Sequence, residues 1–185
     1  MSLKHGILGL LNYGAMTGYE LDKTFKDSLA FFWQAQTSQI YRELGNMERN
    51  GWLTSERVVQ DERPNKRVYS ITDKGKAELN DWLSSPDADI HEEMRERSAF
   101  LMRVFFAGEM DSGQVLEMFR KYRRKCLDYC SGLGAADEVI AQYGAAVAGG
   151  AHMQYWKITA LFGETHYRSR LEWADRAIEI LEGNE

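Results

Sequence analysis

Apolar side chains recur with the period of an α-helix between residues 37 and 51. Ile40, Leu44 and Met47 stand at positions i, i+4 and i+7, which places all three on one face. The other face carries short donors, amides and guanidinium groups: Ser38, Gln39, Arg42, Asn46 and Arg49. Such groups let a helix contact base edges and phosphates, although a solvated helix of a bundle has the same pattern. The pattern therefore predicts a short two-faced helix and leaves both interpretations open.

Both ends of this helix are marked in the sequence. Thr37 or Ser38 is expected to cap the N-terminus, because a side-chain hydroxyl can accept from an unpaired N–H group of the first turn. Gly51 follows the last turn, where a left-handed residue commonly ends a helix. The expected helix is therefore compact and well bounded.

Two short strands are predicted after this helix, at Leu53–Val59 and Arg67–Thr72. The polar residues between them include Pro64, which cannot continue a ladder of strand hydrogen bonds. Helix, strand, basic loop and strand is the order of a winged helix-turn-helix. In that arrangement the helix enters a DNA groove and the loop reaches the flanking backbone.

Helical patterns lie on both sides of this segment. Residues Leu3–Asn12 are apolar enough to form a buried first helix. Thr17 and Glu20 have the spacing of a capping box, which predicts the start of a second helix. Thr72 is expected to cap a fourth helix with Leu79 on its apolar side.

The segment Ser84–Asp87 breaks the helical pattern, and we place a domain boundary there. The expected domains are residues 1–85 and residues 86–185. With 185 residues in total, the chain is long enough to bury a sizeable core. The predicted fold class is mainly α, within the α+β class: an N-terminal winged helix-turn-helix followed by an all-helical C-terminal domain.

The second half is expected to be helical throughout. One helix is expected to run to Ala107, and Asp111 is expected to cap a long helix after it. Two closing helices are expected at His152–Leu161 and Tyr167–Leu181. The basic run Arg120–Lys125 fits a solvated helix face, or alternatively a second nucleic-acid patch.

Charge is unevenly distributed along the chain. The net charge is −5, yet residues 1–85 hold 11 basic and 11 acidic side chains, whereas residues 86–185 hold 12 and 17. The whole deficit therefore lies in the second half. The segment Arg57–Arg67 contains four basic and two acidic residues, a local excess that is compatible with phosphate contact.

Other chemistry is sparse. Cys126 and Cys130 lie four residues apart and are interpreted as small core residues, with a redox switch or an inter-subunit disulfide as the alternatives. The four histidines lack metal-ligand spacing, so we expect no metal and no cofactor. We recognise no nucleophile–base pair or phosphate loop, and therefore expect no catalytic residue and no enzyme. Without an apolar run of about 18 residues or a signal-peptide pattern, we expect no membrane contact and a cytoplasmic location.

Three separated motifs in the first half resemble the winged-helix domain of PadR-type transcriptional regulators. They are G-x-x-x-G-Y-E-L from Gly14 to Leu21, I-Y-R-E-L-x-x-M-E-x-x-G-W-L from Ile40 to Leu53, and R-x-x-x-R-V-Y-S-I-T-D-K-G from Arg63 to Gly75. Residues from about 90 to 182 are similar to the helical C-terminal domain of the longer branch of that family, which has virulence-activator-like relatives.

The resemblance implies a homodimer that binds a pseudo-palindromic operator in double-stranded DNA, usually as a repressor, with the C-terminal helices supplying most of the dimer contact. Two-fold symmetry then requires half-sites about 10 bp apart, or a multiple of that. Carried over residue by residue, the operator contacts are Thr37, Ser38, Gln39, Tyr41 and Arg42 in the recognition helix, and Arg63, Asn65, Lys66 and Arg67 in the wing.

Some members of the family respond to phenolic acids or to flat hydrophobic drugs, which implies a small aromatic or hydrophobic effector. Trp156 and Trp173 either line a pocket for it or are core side chains. An effector would act by favouring a dimer geometry in which the recognition helices no longer match the operator.

One alternative function remains open at this point. The neutral first half and acidic second half also fit a protein-interaction or ligand-sensing module without specific DNA binding. The salt dependence of binding separates the two, because only a DNA complex weakens steeply with salt as counterions are released.

Overall fold

The computed structural model describes residues 3–30, 32–58, 66–85, 90, 98–134, 136–146 and 152–183. The chain divides into two compact units, Met1–Arg95 and Glu96–Glu185. Most residues between 86 and 97 lie outside the described part, so the boundary expected at residue 85 stays a prediction.

The first unit contains four helices and three strands in its described part. The helices are α1 Leu3–Asn12, α2 Gly18–Ser28, α3 Thr37–Arg49 and α4 Asp73–Leu83; the strands are β1 Met16–Thr17, β2 Leu53–Val58 and β3 Lys66–Ile71. The strands form an antiparallel sheet in the order β1–β3–β2. This arrangement confirms the predicted fold class, with α2 and α3 as the helix-turn-helix and β2 and β3 as the wing.

Strand bounds differ slightly from the prediction. Strand β3 begins at Lys66 and ends at Ile71, because Thr72 leaves the sheet to cap α4. Strand β2 is described as far as Val58, and Val59 lies outside the described residues. Strand β1 was not predicted, since two residues are too short to show an alternating pattern.

The core of the first unit lies where α1, α2 and α3 meet the sheet. The predicted stripe of Ile40, Leu44 and Met47 is fully buried, which confirms its orientation. Side chains from the other elements complete the core: Ile7, Leu8, Leu10, Leu11, Leu21, Phe25, Leu53, Tyr69 and Leu79. Burying each large apolar side chain contributes about 1.5–3 kcal/mol, so this face fixes the position of α3.

Local caps determine where two of these helices begin. The backbone N–H of Thr17 donates to Glu20 Oε2 at 2.8 Å, and the N–H of Glu20 donates to Thr17 Oγ1 at 3.2 Å, which confirms the capping box. These hydrogen bonds hold the pKa of Glu20 below its ordinary value, because they favour the carboxylate. Thr72 caps α4 as predicted, accepting from the N–H of Gly75 at 3.0 Å.

The described part of the second unit consists of helices joined by short turns. Its helices are α5 Ala99–Phe105, α6 Ser112–Leu133, α7 Ala136–Ala146 and α8 Met153–Leu181, with a short 3₁₀ turn at Ala107–Glu109. Asp111 caps α6, accepting from the N–H of Gln114 at 3.1 Å, as predicted. Two expectations were wrong: α5 ends at Phe105 because the chain tightens into the 3₁₀ turn, and the two closing helices are one. Gly163 is buried inside that continuous helix and does not interrupt it.

Helix α6 packs along α8, and its basic run takes part in that contact. Arg120 pairs with Glu182 at 2.8 Å, and Arg123 pairs with Asp175 at 2.5 Å. Arg124 pairs with Glu117 of its own helix. These pairs favour the interpretation of the run as a solvated, salt-bridged helix face.

Candidate nucleic-acid interface

The exposed face of α3 carries the side chains that the sequence assigned to DNA. Ser38, Gln39 and Arg42 fall at i, i+1 and i+4, opposite the buried stripe, and all three are exposed. In the described part of the chain, Arg42 forms no ion pair. Its guanidinium group is therefore available for a base edge or a phosphate.

The start of α3 differs from the prediction. Gln36 is the N-cap, not Thr37 or Ser38, and its N–H donates to Gln39 Oε1 at 2.8 Å. The Thr37 hydroxyl is engaged with α2 instead: it donates to Asp22 Oδ2 at 3.2 Å and accepts from Lys26 Nζ at 2.7 Å. Thr37 and Gln39 therefore hold the N-terminus of α3 in place.

Tyr41 lies against the first turn of α2. A Cβ atom built on Gly18 would come within 2.7 Å of Tyr41 Cε1, so the absence of a side chain at Gly18 makes room for the ring. Burial, and secondarily the nearby Asp22 carboxylate, raise the pKa of Tyr41. The residue nevertheless remains 45 % exposed, so its ring packs while part of it faces solvent.

The end of α3 is held by the N-terminus of α4. Gly51 has a φ of +72°, which confirms the predicted left-handed residue. The Thr72 hydroxyl donates to the carbonyl of Gly51 at 2.7 Å, and the Thr72 N–H donates to the carbonyl of Trp52 at 3.0 Å. Lys74 Nζ adds a hydrogen bond to the carbonyl of Asn50 at 2.9 Å. These supports were not predicted, because they join Thr72 and Lys74 to residues 21 and 24 positions earlier in the chain.

The wing is described in part. Of the residues assigned to DNA, Arg63 and Asn65 lie outside the described residues, whereas Lys66 and Arg67 begin β3 and are exposed. Arg67 is engaged by the acidic side chain of Glu48 on α3, through hydrogen bonds of 3.0 and 2.9 Å to its two carboxylate oxygens. Lys66 and Arg67 thus belong to the same unit as the α3 residues, and Arg67 is already paired with Glu48.

The two tryptophans that were considered for an effector lie in different surroundings. Trp173 belongs to a cluster of aromatic rings in the second unit and lies 5.3 Å from Phe119 and 5.5 Å from Tyr122 between ring centroids. Trp156 is half-buried on α8, 6.5 Å from the His152 ring. Both positions fit core or helix-packing side chains.

An open groove of about 680 Å³ lies along α5 and α6 in the second unit. Phe100, Tyr122 and Met118 contribute apolar surface, and Arg103 and Lys121 contribute positive charge. Neither of the two tryptophans lines this groove. Sequence reasoning missed it because its lining comes from two helices joined through a 3₁₀ turn.

Several large apolar side chains of the second unit face solvent. They are Leu101, Met102, Phe105 and Phe106 around α5, and Tyr155, Ile158, Leu161 and Phe162 on α8. Phe105 is 81 % exposed. Apolar surface on this scale commonly marks a surface that another molecule covers.

The described ranges contain neither a candidate metal site nor a candidate membrane-spanning helix. These residues contain no group of three or more His, Cys, Asp or Glu side chains that could hold a metal ion. No helix among them has the length and apolar character to cross a membrane.

Cys126 is buried and Cys130 half-buried, and both are free thiols. Burial raises the pKa of the Cys126 thiol.

Comparison with known proteins gives matches to both units. Residues 7–81 match the transcriptional regulator PadR-like family, and residues 96–182 match the virulence activator alpha C-terminal family. The negative transcriptional regulator PadR of Bacillus subtilis is 34% identical over 125 residues, which are 66% of each chain. A "probable transcriptional regulator" of Mycobacterium tuberculosis is 46% identical over 86 residues, and here the match spans 46% of each chain.

Solved structures share the fold over nearly the whole chain. A Streptococcus mutans UA159 protein superposes with a TM-score of 0.78 at 28% identity, covering 96% of this chain and 99% of its own. Bacillus subtilis PadR in complex with operator DNA gives a TM-score of 0.75 at 24% identity, covering 97% of both chains. The Vibrio cholerae virulence activator AphA gives 0.75 at 23% identity, covering 100% of both. The PadR and AphA structures, at 24% and 23% identity, show that the fold is shared and nothing more.

Proposed function

We propose, from the premise that this chain belongs to the PadR-like family of transcriptional regulators, that it binds a specific operator in double-stranded DNA and represses transcription. Helix α3 would enter the major groove, and the wing would contact the adjacent backbone. Such a regulator works in the cytoplasm, where the DNA lies. No enzymatic step is part of this function, because the family consists of regulators.

The exposed face of α3 is the observation that carries the proposal. Ser38 and Arg42 point away from a fully buried stripe, on a helix that is held at both ends by hydrogen bonds. A rigid helix with free donors loses little conformational entropy when it meets base edges. Thr37, Gln39 and Tyr41 lie at the same end of the helix and would contact phosphates or flanking bases. The wing would contact DNA through Lys66, Arg63 and Asn65.

The direction of regulation is supported by a relative. The Bacillus subtilis relative is named a negative transcriptional regulator, and its structure was determined with operator DNA. A repressor needs only to occupy its operator so that transcription is blocked. Binding by helix α3 and the wing is sufficient for that outcome.

A homodimer formed by the second unit would complete the site. The exposed side chains around α5 and on α8, including Phe105 and Ile158, supply an apolar surface for a second copy. A two-fold dimer presents two copies of α3, which matches a pseudo-palindromic operator. Doubling the contacts also raises affinity without any new chemistry.

A small aromatic acid is the effector that the groove along α5 and α6 would accept. Phe100 and Tyr122, which stack on each other at 4.6 Å between ring centroids, offer apolar surface, and Arg103 and Lys121 offer positive charge. The acidic lining residues are engaged elsewhere: Asp111 caps α6, and Glu117 pairs with Arg124. A Bacillus subtilis PadR structure contains p-coumaric acid, a ligand of this chemistry. Neither Trp156 nor Trp173 lines this groove, so both would act as packing residues and not as effector contacts.

The test is a DNA titration with one variant on α3 and one control. Arg42→Ala should weaken binding of the full chain to its operator by about 5- to 150-fold for each half-site, since a lost base or phosphate contact costs about 1–3 kcal/mol and the proposed homodimer loses one in both half-sites. Arg168→Ala removes an equal charge from α8 and should leave the affinity unchanged. Fluorescence anisotropy at several salt concentrations measures both. Full affinity in the Arg42 variant, or an equal loss in the control, would contradict the assigned face.

A further inference from the structure

Two arginines face each other across the wing. Arg57 of β2 and Arg67 of β3 are register partners in the antiparallel pair, so their side chains emerge on the same face of the sheet. Like charges in directly opposed positions destabilise a strand pair unless a counter-charge is present. The surroundings of the two guanidinium groups therefore decide what each one can do.

Arg67 is satisfied within the first unit. Its Nη2 donates to both carboxylate oxygens of Glu48, and its Nε donates to Ser55 Oγ at 2.5 Å. Ser55 in turn donates to Glu48 Oε1 at 2.6 Å. The guanidinium carbon also lies 5.7 Å from the centre of the Tyr69 ring. These contacts join the recognition helix to both wing strands through one side chain.

Arg57 has no such partner among the residues that the structure describes. It is exposed, and none of the ion pairs or hydrogen bonds found there involves its side chain. It lies one residue before the end of β2 and is thus close to the loop of the wing. Arg57 is therefore the strand arginine whose charge is available to an anion.

Glu48 makes this division of roles physically reasonable. A carboxylate on a helix that enters a DNA groove would repel phosphates if it were uncompensated. Arg67 neutralises it and at the same time fixes the wing strands relative to α3, because its planar guanidinium group donates from Nη2 to Glu48 and from Nε to Ser55.

We propose that Arg67 is a positioning residue, which locks the wing to the recognition helix through Glu48 and Ser55, and that Arg57 contacts a backbone phosphate. This inference rests on the proposed DNA-binding function. It differs from the contacts carried over from the family resemblance, which included Arg67 and left out Arg57, although Arg57 was counted in the basic excess of the wing segment.

The decisive experiment measures operator affinity of the full chain for Glu48→Gln, Arg67→Gln and the double variant. Removing a negative charge from a DNA-binding helix should by simple electrostatics tighten binding. If Glu48 positions the wing, Glu48→Gln instead weakens binding by about 2- to 5-fold, the range expected for a partly exposed ion pair. Arg67→Gln should then cause little further loss of affinity when Glu48→Gln is already present, because the contact between the two side chains has already been removed.

Arg67→Lys and Arg57→Gln separate positioning from contact. Lysine keeps the charge but cannot form the fork, so Arg67→Lys should bind as weakly as Arg67→Gln. Arg57→Gln should lower the slope of log affinity against log salt by about 1 for each protomer, and so by about 2 for the proposed homodimer, because each protomer loses one phosphate contact. Thermal unfolding followed by circular dichroism verifies that each variant is folded.

Each contrary result has one meaning. Equal or tighter binding by Glu48→Gln, or near-normal binding by Arg67→Lys, would show that the contacts of Arg67 with Glu48 and Ser55 do not position the wing. An unchanged salt slope in Arg57→Gln would remove Arg57 from the interface. Failure of the unaltered chain to bind any specific DNA would instead refute the proposed function itself.

Discussion

Alanine in place of Gly75 would drive a methyl group into the backbone at the end of the recognition helix. The added Cβ would lie 2.2 Å from the carbonyl oxygen of Trp52 and 2.8 Å from Ile71 Cγ1. Carbon and oxygen in contact are usually about 3.3 Å apart or more, so the two backbone segments must separate by roughly 1 Å. Because the nearest atom belongs to the backbone, no rotamer change can relieve this clash.

The size of the effect follows from what the separation disrupts. Forcing an extra methyl into a packed site costs about 1–3 kcal/mol. The hydrogen bond from the Thr72 N–H to the carbonyl of Trp52 would be strained as well, at a cost of about 1 kcal/mol. Gly75→Ala should therefore lower the free energy of unfolding by roughly 2–4 kcal/mol.

Urea denaturation of the full chain, followed by tryptophan fluorescence, measures this change. Gly9→Ala is the matched control, because no atom lies within 4 Å of a Cβ built there and alanine favours the interior of α1. The control should raise the free energy of unfolding by about 0.5–1 kcal/mol. A Gly75→Ala variant whose free energy of unfolding lies within about 0.5 kcal/mol of the unaltered chain would show that the carbonyl of Trp52 does not approach Gly75 this closely.

Three further predictions concern α3, the cap of α2 and the second unit. Leu44→Ala should lower the free energy of unfolding in urea by about 2–5 kcal/mol, because Leu44 is fully buried. Glu20 has a lowered pKa in the folded chain, so its stabilising effect is present above the unfolded value of 4.5 and disappears as the pH falls through the folded value. The thermal midpoint of the unaltered chain should therefore exceed that of Glu20→Gln at neutral pH and approach it on acidification; a constant difference would contradict the cap. Phe105→Asp should give monomers in sedimentation equilibrium, because Phe105 lies on the apolar surface proposed for the dimer contact. A variant that is still dimeric would show that this surface does not form the contact.

The sequence predicted those features that depend on nearby residues. The buried stripe of α3 follows from helical spacing, and the caps formed by Thr17, Thr72 and Asp111 follow from side chains three residues from their targets. The two wing strands were found within a residue of their described bounds. Periodicity and capping are local, so one sequence is enough to recognise them.

The features that were missed depend on residues distant along the chain. Thr37 does not cap α3 because its hydroxyl meets Asp22 and Lys26, and these belong to another helix. Arg67 looked free for DNA because Glu48 precedes it by 19 residues. The one continuous α8 was predicted as two helices because the residues between Leu161 and Tyr167 were left out of both, whereas the helix runs through them with Gly163 buried.

Selection from a pool of random double-stranded DNA would show whether this chain recognises a specific sequence, whichever genes it regulates. The purified full chain would be used at about 0.15 M salt, and each enriched sequence would then be titrated across salt concentrations. We expect the enriched sequence to be an inverted repeat, with half-sites separated by about 10 bp or a multiple of it, and its affinity to fall steeply with salt. A pool without any enriched sequence, bound no better than random DNA, would contradict this expectation.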